Sequence, residues 1–207
     1  MPPSPHRLAL AITLLASGLA EAAPAPTKTV QIDTPTTTGQ TLTGSDSLTT
    51  TAPGSLTTSG VAVTLKDGTS GAGVVITNAG KLVSSGGRAI DSSGTLTGAR
   101  NYSVYNLAGG VIQGANDALR INSNFASGSL LIDNSGTIRS ATGQGLDLDA
   151  IRSANVTTTI INRAGGLIRG DASDGMKTGA NANITNYGEM LLNLKRAALL
   201  STAMEGE

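Results

Sequence analysis

Hydrophobic and polar positions recur through the middle of the chain with a period of about 28 residues. Five asparagines mark the repeat, and the first three intervals between them are equal while the fourth is slightly shorter: Asn78, Asn106, Asn134, Asn162 and Asn186. An isoleucine or valine lies two positions before each of them: Ile76, Val104, Ile132, Ile160 and Ile184. A glycine follows, with an apolar residue two positions beyond it, so the unit reads I-x-N-x-G-x-I. Two of the five units insert Ala-Gly before that glycine.

A second, weaker motif follows in the first four units. It is a small residue and then an apolar one, and the apolar residue lies 12 to 14 positions after the asparagine: Ala89-Ile90, Ala118-Leu119, Gly145-Leu146 and Gly175-Met176. The fifth unit changes character before such a motif occurs. Each full unit therefore carries two or three short apolar segments.

These segments have the properties of stacked β-strands. Ile-x-Asn and Gly-x-Ile have period 2, the side-chain spacing of a strand. Asparagine and glycine tolerate positive φ, so we interpret Asn-x-Gly as a turn. A single unit cannot bury its apolar face, whereas units stacked in register bury a continuous column. The sequence predicts an all-β fold, a parallel right-handed β-helix (β-solenoid) over residues 71–190, in which the five asparagine amides form a ladder.

Three other repeat architectures have signatures that this chain lacks. A leucine-rich repeat needs L-x-x-L-x-L before the asparagine, and those leucines are missing before Asn78 and Asn106. A left-handed helix of hexapeptides would repeat its apolar residue every six positions, and a calcium-binding solenoid would show G-G-x-G-x-D. Neither pattern is present.

The segments on either side of the repeat differ from it in composition. Residues 23–70 are rich in Thr, Ser, Gly and Pro. Alternating apolar residues favour partial, irregular coils over 55–73, whereas coils and a disordered linker both remain open for 23–54. Residues 191–207 contain Leu, Ala, Lys and Arg and form a helix-favouring tail. This tail is either a cap over the open end of the solenoid or a segment without contacts.

Residues 1–22 have the three parts of a secretory signal peptide. A short region carrying Arg7 precedes an apolar run, Leu8 to Ala20, and Ala20-Glu21-Ala22 is a small-x-small cleavage site. The apolar run is shorter than the roughly 20 residues that a membrane-spanning helix needs. We therefore expect cleavage after Ala22 and export to the periplasm, the cell surface or the extracellular medium.

Composition then narrows the chemistry that is available. The 14 basic and 14 acidic side chains give a net charge of zero without a basic block, which argues against nucleic-acid binding. There is no cysteine, and the only histidine, His6, is lost on cleavage. This removes Ser-His-Asp and Cys-His catalysis and metal sites built from His or Cys. We expect no cofactor, no resident metal and no enzymatic activity.

The signal peptide together with the repeat units resembles the passenger region of bacterial autotransporters, the type V secretion adhesins. The matching segments are Ile76-Thr77-Asn78-Ala79-Gly80-Lys81-Leu82 and Ile132-Asp133-Asn134-Ser135-Gly136-Thr137-Ile138. The resemblance covers the signal and roughly residues 70 to 190, and it implies a Gram-negative source and display or release at the cell surface. Members end in an outer-membrane barrel, whereas only a short, non-alternating segment follows Asn186 here. We expect a truncated passenger, a chain served by a separate barrel, or one that stays in the periplasm.

Two groups of residues are candidates for adhesion. Arg169-Gly170-Asp171 is the tripeptide that integrin-binding adhesins use, and some similar passengers carry it. A glycine turn is expected there without any function, because Gly170 aligns with Gly114. Tyr105 and Tyr187 lie beside ladder asparagines on the outward side. They are either stacking platforms for sugars or half-buried surface residues.

Acidic residues offer the alternative of catalysis. Asp147 and Asp149 share one face of a strand, and Asp171 and Asp174 lie one coil later. β-Helical polysaccharide lyases and hydrolases use such clusters with calcium or as acid/base pairs. Such lyases also need a basic residue nearby, and the candidates are Arg152 and Lys177. Solvated residues flanking an apolar strand explain the same pattern.

Taken together, these features predict an exported, non-enzymatic, monomeric surface scaffold or adhesin. It would make many weak contacts with host surface glycans or proteins along an elongated face. A polysaccharide-acting β-helix enzyme and an inactive remnant of a longer autotransporter are the alternatives. Carboxylates and a basic residue converging in one groove would favour the enzyme.

Overall fold

A computed structural model describes residues 28–66, 73–92 and 98–191 of the chain. Every regular element in these ranges is a β-strand, and the described residues contain no helix. The predicted signal peptide, residues 1–22, lies outside the described residues, and so does the helix-favouring tail beyond Leu191.

The chain winds through three parallel sheets in rotation, and each full coil gives one strand to each sheet. The first three coils contain β1 (Thr29–Ile32), β2 (Pro35–Thr36), β3 (Gln40–Leu42), β4 (Ser47–Thr50), β5 (Ser55–Thr58), β6 (Val63–Leu65), β7 (Val74–Asn78), β8 (Lys81–Ser84) and β9 (Ile90–Ser92). The rest contain β10 (Ala99–Asn106), β11 (Val111–Gly114), β12 (Leu119–Arg120), β13 (Ser127–Asn134), β14 (Thr137–Ser140), β15 (Leu146–Asp147), β16 (Val156–Asn162), β17 (Leu167–Gly170), β18 (Met176–Lys177), β19 (Ala182–Asn186) and β20 (Glu189–Leu191). The first sheet begins with β1, the second with β2 and the third with β3, and each takes every third strand thereafter. The predicted parallel β-solenoid is confirmed.

The N-terminal residues, whose composition left their structure open, also form coils. Their strands β1 to β6 belong to the same three sheets as the repeat. The step from β1 to β4 is shorter than the repeat, because Thr29 pairs with Ser47. The next step already has the full length of the repeat, because Ser47 pairs with Val75. In-register stacking therefore begins before the first ladder asparagine.

The apolar residues of the repeat form three columns inside the solenoid. They are Ile76, Val104, Ile132 and Ile160 in the first sheet, Leu82, Ile112, Ile138 and Ile168 in the second, and Ile90, Leu119 and Leu146 in the third. All of them are at most 1% exposed. Neighbouring strands lie about 4.8 Å apart, so each side chain packs on its equivalent in the next coil. Burying such a side chain stabilises the fold by about 1.5–3 kcal/mol.

The five asparagines form a continuous chain of amide hydrogen bonds. Each Nδ2 donates to the Oδ1 of the next asparagine, at 2.8, 2.7, 2.8 and 2.8 Å along the series from Asn78 to Asn186. The same four nitrogens also donate to backbone carbonyls of the following coil. The first four side chains are fully buried. The ladder therefore satisfies polar groups that would each cost about 1–3 kcal/mol if left unpaired.

The glycine of the repeat is needed because the turns of neighbouring coils pass close to each other. The expectation that the ladder asparagines adopt positive φ is wrong. Among the described residues, Asn181 is the one non-glycine with positive φ, so no ladder asparagine is left-handed. Gly109 and Gly165, the inserted glycines of two units, do have φ of 81° and 80°. Gly136, a repeat glycine, has ordinary φ, but a Cβ there would collide with the Gly110 carbonyl oxygen of the preceding coil. The tight stacking of turns therefore excludes any side chain at this position.

The ladder has a defect where it begins. The coil before Asn78 has Thr50 at the equivalent position. Thr50 Oγ1 and Asn78 Oδ1 are both buried, and neither has a hydrogen-bond partner. A buried donor and a buried acceptor thus lie at adjacent ladder positions without pairing.

Replacing a central ladder residue should destabilise the solenoid. Asn134→Leu removes the hydrogen bonds to both neighbours and leaves Asn106 Nδ2 and Asn162 Oδ1 without their ladder partners, at a cost of about 1–3 kcal/mol. Asn116→Leu is the control, because Asn116 lies off the ladder and its Oδ1 accepts a local bond from the Asp117 N–H. Chemical denaturation measures both variants. Equal, small losses in the two would mean that the ladder contributes nothing to stability.

Extending the ladder by one residue should have the opposite effect. In Thr50→Asn, the new Nδ2 can donate to the unpaired Asn78 Oδ1, which should stabilise the fold by about 1 kcal/mol. Thr49→Asn is the matched control, because Thr49 lies on the same strand and faces outward. We expect a higher urea midpoint for the first variant and an unchanged midpoint for the second. A loss of stability in Thr50→Asn would show that the threonine position cannot accept an amide.

Candidate functional site

The outer face of the third sheet carries a column of charges of alternating sign. Each charged residue follows the apolar residue of the second motif: Asp91, Arg120, Asp147 and Lys177. The strand register pairs each of them with the next. Side chains alternate along a strand, so burial of the preceding apolar residue turns the charged one outward. We name the column and its neighbours the third-sheet charged cluster: Arg88, Asp91, Asp117, Arg120, Gln144, Asp147 and Lys177.

Two ion pairs join the third and fourth coils within this cluster. Arg120 binds Asp91 in a bidentate manner, with Nε 2.8 Å from Oδ1 and Nη2 3.1 Å from Oδ2. Arg88 Nε donates to Asp117 Oδ2 at 2.8 Å. Asp91 and Asp117 are 7% and 3% exposed. Each coil gives one carboxylate and one guanidinium, so the two pairs connect the coils reciprocally and leave no net charge.

Gln144 connects the cluster to the following coils. Its backbone N–H donates to Asp117 Oδ1 at 2.9 Å. In the orientation that satisfies its neighbours, its side-chain amide also donates to that oxygen at 2.9 Å and accepts from Lys177 Nζ at 3.1 Å. Lys177 is therefore held on the Asp117 side of the cluster.

Among the carboxylates of the third-sheet charged cluster, Asp147 has the fewest favourable interactions with its neighbours. Burial is the largest cause that raises its pKa above the ordinary value, and the Asp117 and Asp149 carboxylates raise it further. Lys177 and Arg120 act in the opposite direction without reversing the shift. Asp147 Oδ1 is buried and has no hydrogen-bond partner. This is the arrangement of a carboxyl group that holds its proton more tightly than usual.

The structure brings together only some of the residues that the sequence predicted for catalysis. Lys177 joins Asp147, and Asp149 is exposed beside it. Arg152 is exposed, its backbone N–H binds Asn124 Oδ1, and it is not among the charges that act on Asp147. Asp171 pairs with arginines of the second sheet. Of the two cations that the sequence offered as candidates, the structure places Lys177, and not Arg152, beside Asp147.

The sequence analysis missed five residues of the third-sheet charged cluster: Arg88, Asp91, Asp117, Arg120 and Gln144. Their signal lies in the second motif, where the position after the apolar residue reads D, R, D, K in successive units. The repeat aligns these charges in the same way as it aligns the asparagines, so the column is visible in the sequence. Arg88, Asp117 and Gln144 each lie directly before the small residue of that motif, outside the strands.

Arg169-Gly170-Asp171 lies at the end of β17 and in the turn that follows it. Arg139 Nε donates to Asp171 Oδ2 at 2.8 Å, and Arg169 Nε lies 2.6 Å from Asp171 Oδ1. The hydrogen bond from Arg139 is the largest cause that lowers the pKa of Asp171. Gly170 is buried in the strand. An integrin would have to displace two arginines from the carboxylate, so this geometry does not favour the adhesion tripeptide.

The two tyrosines lie at the ends of a strip along the first sheet, with Tyr105 on strand β10 and Tyr187 directly after strand β19. Asp133 pairs in register with Tyr105, and Arg163 binds Asp133 through two hydrogen bonds of 2.6 Å. Tyr187 occupies the position after its ladder asparagine, as Arg163 does one coil earlier. Tyr105 is half-buried, whereas Tyr187 is 72% exposed. We name Tyr105, Asp133, Arg163 and Tyr187 the first-sheet tyrosine strip.

Two further kinds of site concern metal ions and membranes. Within residues 28–66, 73–92 and 98–191, no group of three or more His, Cys, Asp or Glu side chains is arranged to hold a metal ion. None of the described segments forms a helix of the length and apolarity that crossing a bilayer requires.

No protein-family model, curated protein or solved structure matches the chain. The resemblance to autotransporter passengers therefore rests on the signal peptide and on the I-x-N-x-G-x-I units alone.

Removing the Asp147 charge should stabilise the protein at neutral pH. Because the pKa of Asp147 is raised in the fold, its ionised form opposes folding above that pKa. The penalty disappears as the pH falls below the ordinary carboxyl pKa of about 3.9. We expect Asp147→Asn to melt higher than the native chain at pH 7 and equally near pH 3, by circular dichroism. Exposed Asp149→Asn is the control and should change little; a lower Tm for Asp147→Asn at pH 7 would mean that Arg120 and Lys177 outweigh burial.

Proposed function

We propose that the chain is an exported, non-enzymatic β-solenoid of the autotransporter-passenger type, acting as a surface scaffold or adhesin of a Gram-negative bacterium. Its contact surface is the first-sheet tyrosine strip, and its targets are glycans or proteins of a host surface. The 72% exposure of Tyr187 carries this proposal. A large apolar ring with a polar tip is seldom left so open, and such rings are enriched in contact surfaces.

The strip suits an extended ligand more than a small molecule in a pocket. Tyr105 and Tyr187 lie three coils apart, a rise of about 14 Å at about 4.8 Å per coil. The Arg163–Asp133 pair lies between them and offers hydrogen-bonding groups of both kinds. Tyr105 and Asp133 lie on strands β10 and β13, and Arg163 and Tyr187 directly follow strands β16 and β19, so the backbone holds all four positions and little conformational entropy is lost on binding.

The charges of the described coils further support a scaffold. Asp91, Asp117, Asp133 and Asp171 are each paired with an arginine of another coil. Such pairs hold neighbouring coils in register and leave few carboxylates for chemistry. Their contribution to stability is small where they are exposed, because water screens the attraction between the charges.

A polysaccharide-acting enzyme, a lyase or a hydrolase, is the second candidate, and the third-sheet charged cluster favours it. Asp147 has the raised pKa of a general acid, and Arg120 and Lys177 lie beside it. Two cations near an acid would suit a uronate sugar. Arg120 is already bound to Asp91 through two hydrogen bonds, which reduces its availability for a substrate.

One preparation tests both functions. Expressed in a Gram-negative host, the chain should accumulate in the periplasm with its N-terminus near Ala23. On a glycan array the purified protein should bind, and Tyr187→Ala should weaken that binding about tenfold. Leu107→Ala, at a position 43% exposed, should leave it unchanged. Incubation with polygalacturonate should release no reducing ends.

Three other outcomes would contradict these expectations. Binding that Tyr187→Ala leaves intact would remove the strip from the proposal. Depolymerisation of polygalacturonate that disappears in Asp147→Asn would replace the adhesin by the enzyme. Retention in the cytoplasm at full length would contradict export.

A further inference from the structure

Asp171 is bound by two arginines that belong to neighbouring coils of the second sheet. Arg139 donates to its Oδ2 through Nε, at 2.8 Å, and through Nη2. Arg169 Nε lies 2.6 Å from its Oδ1. Three other aspartates each pair with one arginine within the part of the chain that the structure describes: Asp91, Asp117 and Asp133. The group around Asp171 therefore has one positive charge more than its carboxylate neutralises.

The two arginines point outward from adjacent strands. Arg139 on β14 and Arg169 on β17 are paired in the strand register, so they lie about 4.8 Å apart along the solenoid. Their side chains are 46% and 44% exposed, whereas Ile138 and Ile168, the residues before them, are buried. Gln113 on β11 continues the same column by one further coil. We name Gln113, Arg139 and Arg169 the second-sheet arginine column.

Asp171 leaves part of both guanidinium groups available to a ligand. An arginine carries five N–H donors. Arg139 contacts Asp171 through Nε and Nη2, which leaves its Nη1 group. Arg169 contacts Asp171 through Nε alone, and its two Nη groups form no hydrogen bond with the described residues. The carboxylate thus holds the two guanidinium groups side by side while donors of both remain exposed.

The charges around this column leave the sheet positive. From β8 to β20, the strands of the second sheet carry four charged residues, of which three are basic: Lys81, Arg139, Arg169 and Glu189. Glu189 pairs in register with Leu167, in a different outward column, and it forms no ion pair with a described residue. With Asp171 included, these residues have an excess of one positive charge, although the chain as a whole has none. This face therefore attracts an anion.

We propose that the second-sheet arginine column binds the anionic groups of an acidic polysaccharide, either uronate carboxylates or sulfate esters. Guanidinium groups bind such oxyanions through paired hydrogen bonds. The column offers binding positions one coil apart on an exposed surface, and a polymer with an anionic group on each sugar contacts several of them at once. Arg169 contacts the ligand, and Asp171 positions both arginines. The column lies on a different sheet from the first-sheet tyrosine strip, so this binding is additional to the proposed adhesin function.

Biolayer interferometry of the full chain on immobilised polysaccharides tests the proposal. The probes are polygalacturonate, whose anionic groups are carboxylates, dextran sulfate, whose anionic groups are sulfates, and neutral dextran. We expect the chain to bind one or both of the polyanions, and more weakly at high salt because salt screens the attraction between the charges. It should not bind neutral dextran. The polyanion that binds more tightly identifies the anionic group.

Arg169→Gln should weaken this binding about tenfold, because it removes a charge and its hydrogen bonds and leaves Asp171 paired with Arg139. Arg152→Gln is the matched control, because it makes the same substitution at an exposed arginine outside the second sheet. It should bind as the native chain does. Tyr187→Ala should also leave this binding unchanged, which separates the column from the first-sheet tyrosine strip. Circular dichroism verifies the fold of each variant.

Three results would overturn the proposal. The first is that neither polyanion binds, or that neutral dextran binds equally well. The second is an equal loss in Arg169→Gln and Arg152→Gln, which would mean that only the overall charge of the chain matters. The third is a loss in Tyr187→Ala with none in Arg169→Gln, which would place the polysaccharide on the first-sheet tyrosine strip and leave the proposed function standing.

Discussion

In-register stacking of coils of equal length is the constraint on which the rest of this molecule depends. Parallel strands pair residue with residue, so the neighbours of any side chain are the same position in the coils before and after it. A step of one repeat thus places Ile132 on Val104 and Ile160 on Ile132. A slip of one residue would turn the entire column outward. Columns of like side chains, joined in one hydrophobic core, stabilise the fold.

The same constraint permits a polar column inside an apolar solenoid. An amide has both a donor and an acceptor, so each asparagine can bind the one before it and the one after it. A hydroxyl at that position does not continue the series in this structure, and the ladder begins at Asn78 with an unpaired oxygen beside Thr50. The repeat glycine follows from the same stacking, because the turns pass so closely that Gly136 has no room for a Cβ.

On the outside, stacking converts sequence periodicity into charge pairing between coils. Asp91 pairs with Arg120 and Asp133 with Arg163, in each case across two successive coils. The column continues to Asp147 and Lys177, where compensation is incomplete and a carboxyl group holds its proton more tightly. The outer surface therefore has several paired charges, which support the scaffold function, and one carboxyl group with a raised pKa, which supports the enzyme function. The scaffold is the better supported of the two.

The sequence by itself determined the architecture. Each repeat unit contacts only the units before and after it, so the period and the pattern of apolar and polar positions are sufficient to predict the stacking. The columns, the ladder and the position of each turn follow from the asparagine spacing. It did not determine which charges meet, because Asp117 and Gln144 reach the cluster through turns that lie outside the strand register. It also left residues 28–54 open, because their Thr and Ser strands lack the asparagine that marks the period, and only pairing with the repeat orders them. Tertiary structure alone decided that Asp171 is held by two arginines, since this depends on what the neighbouring coil supplies.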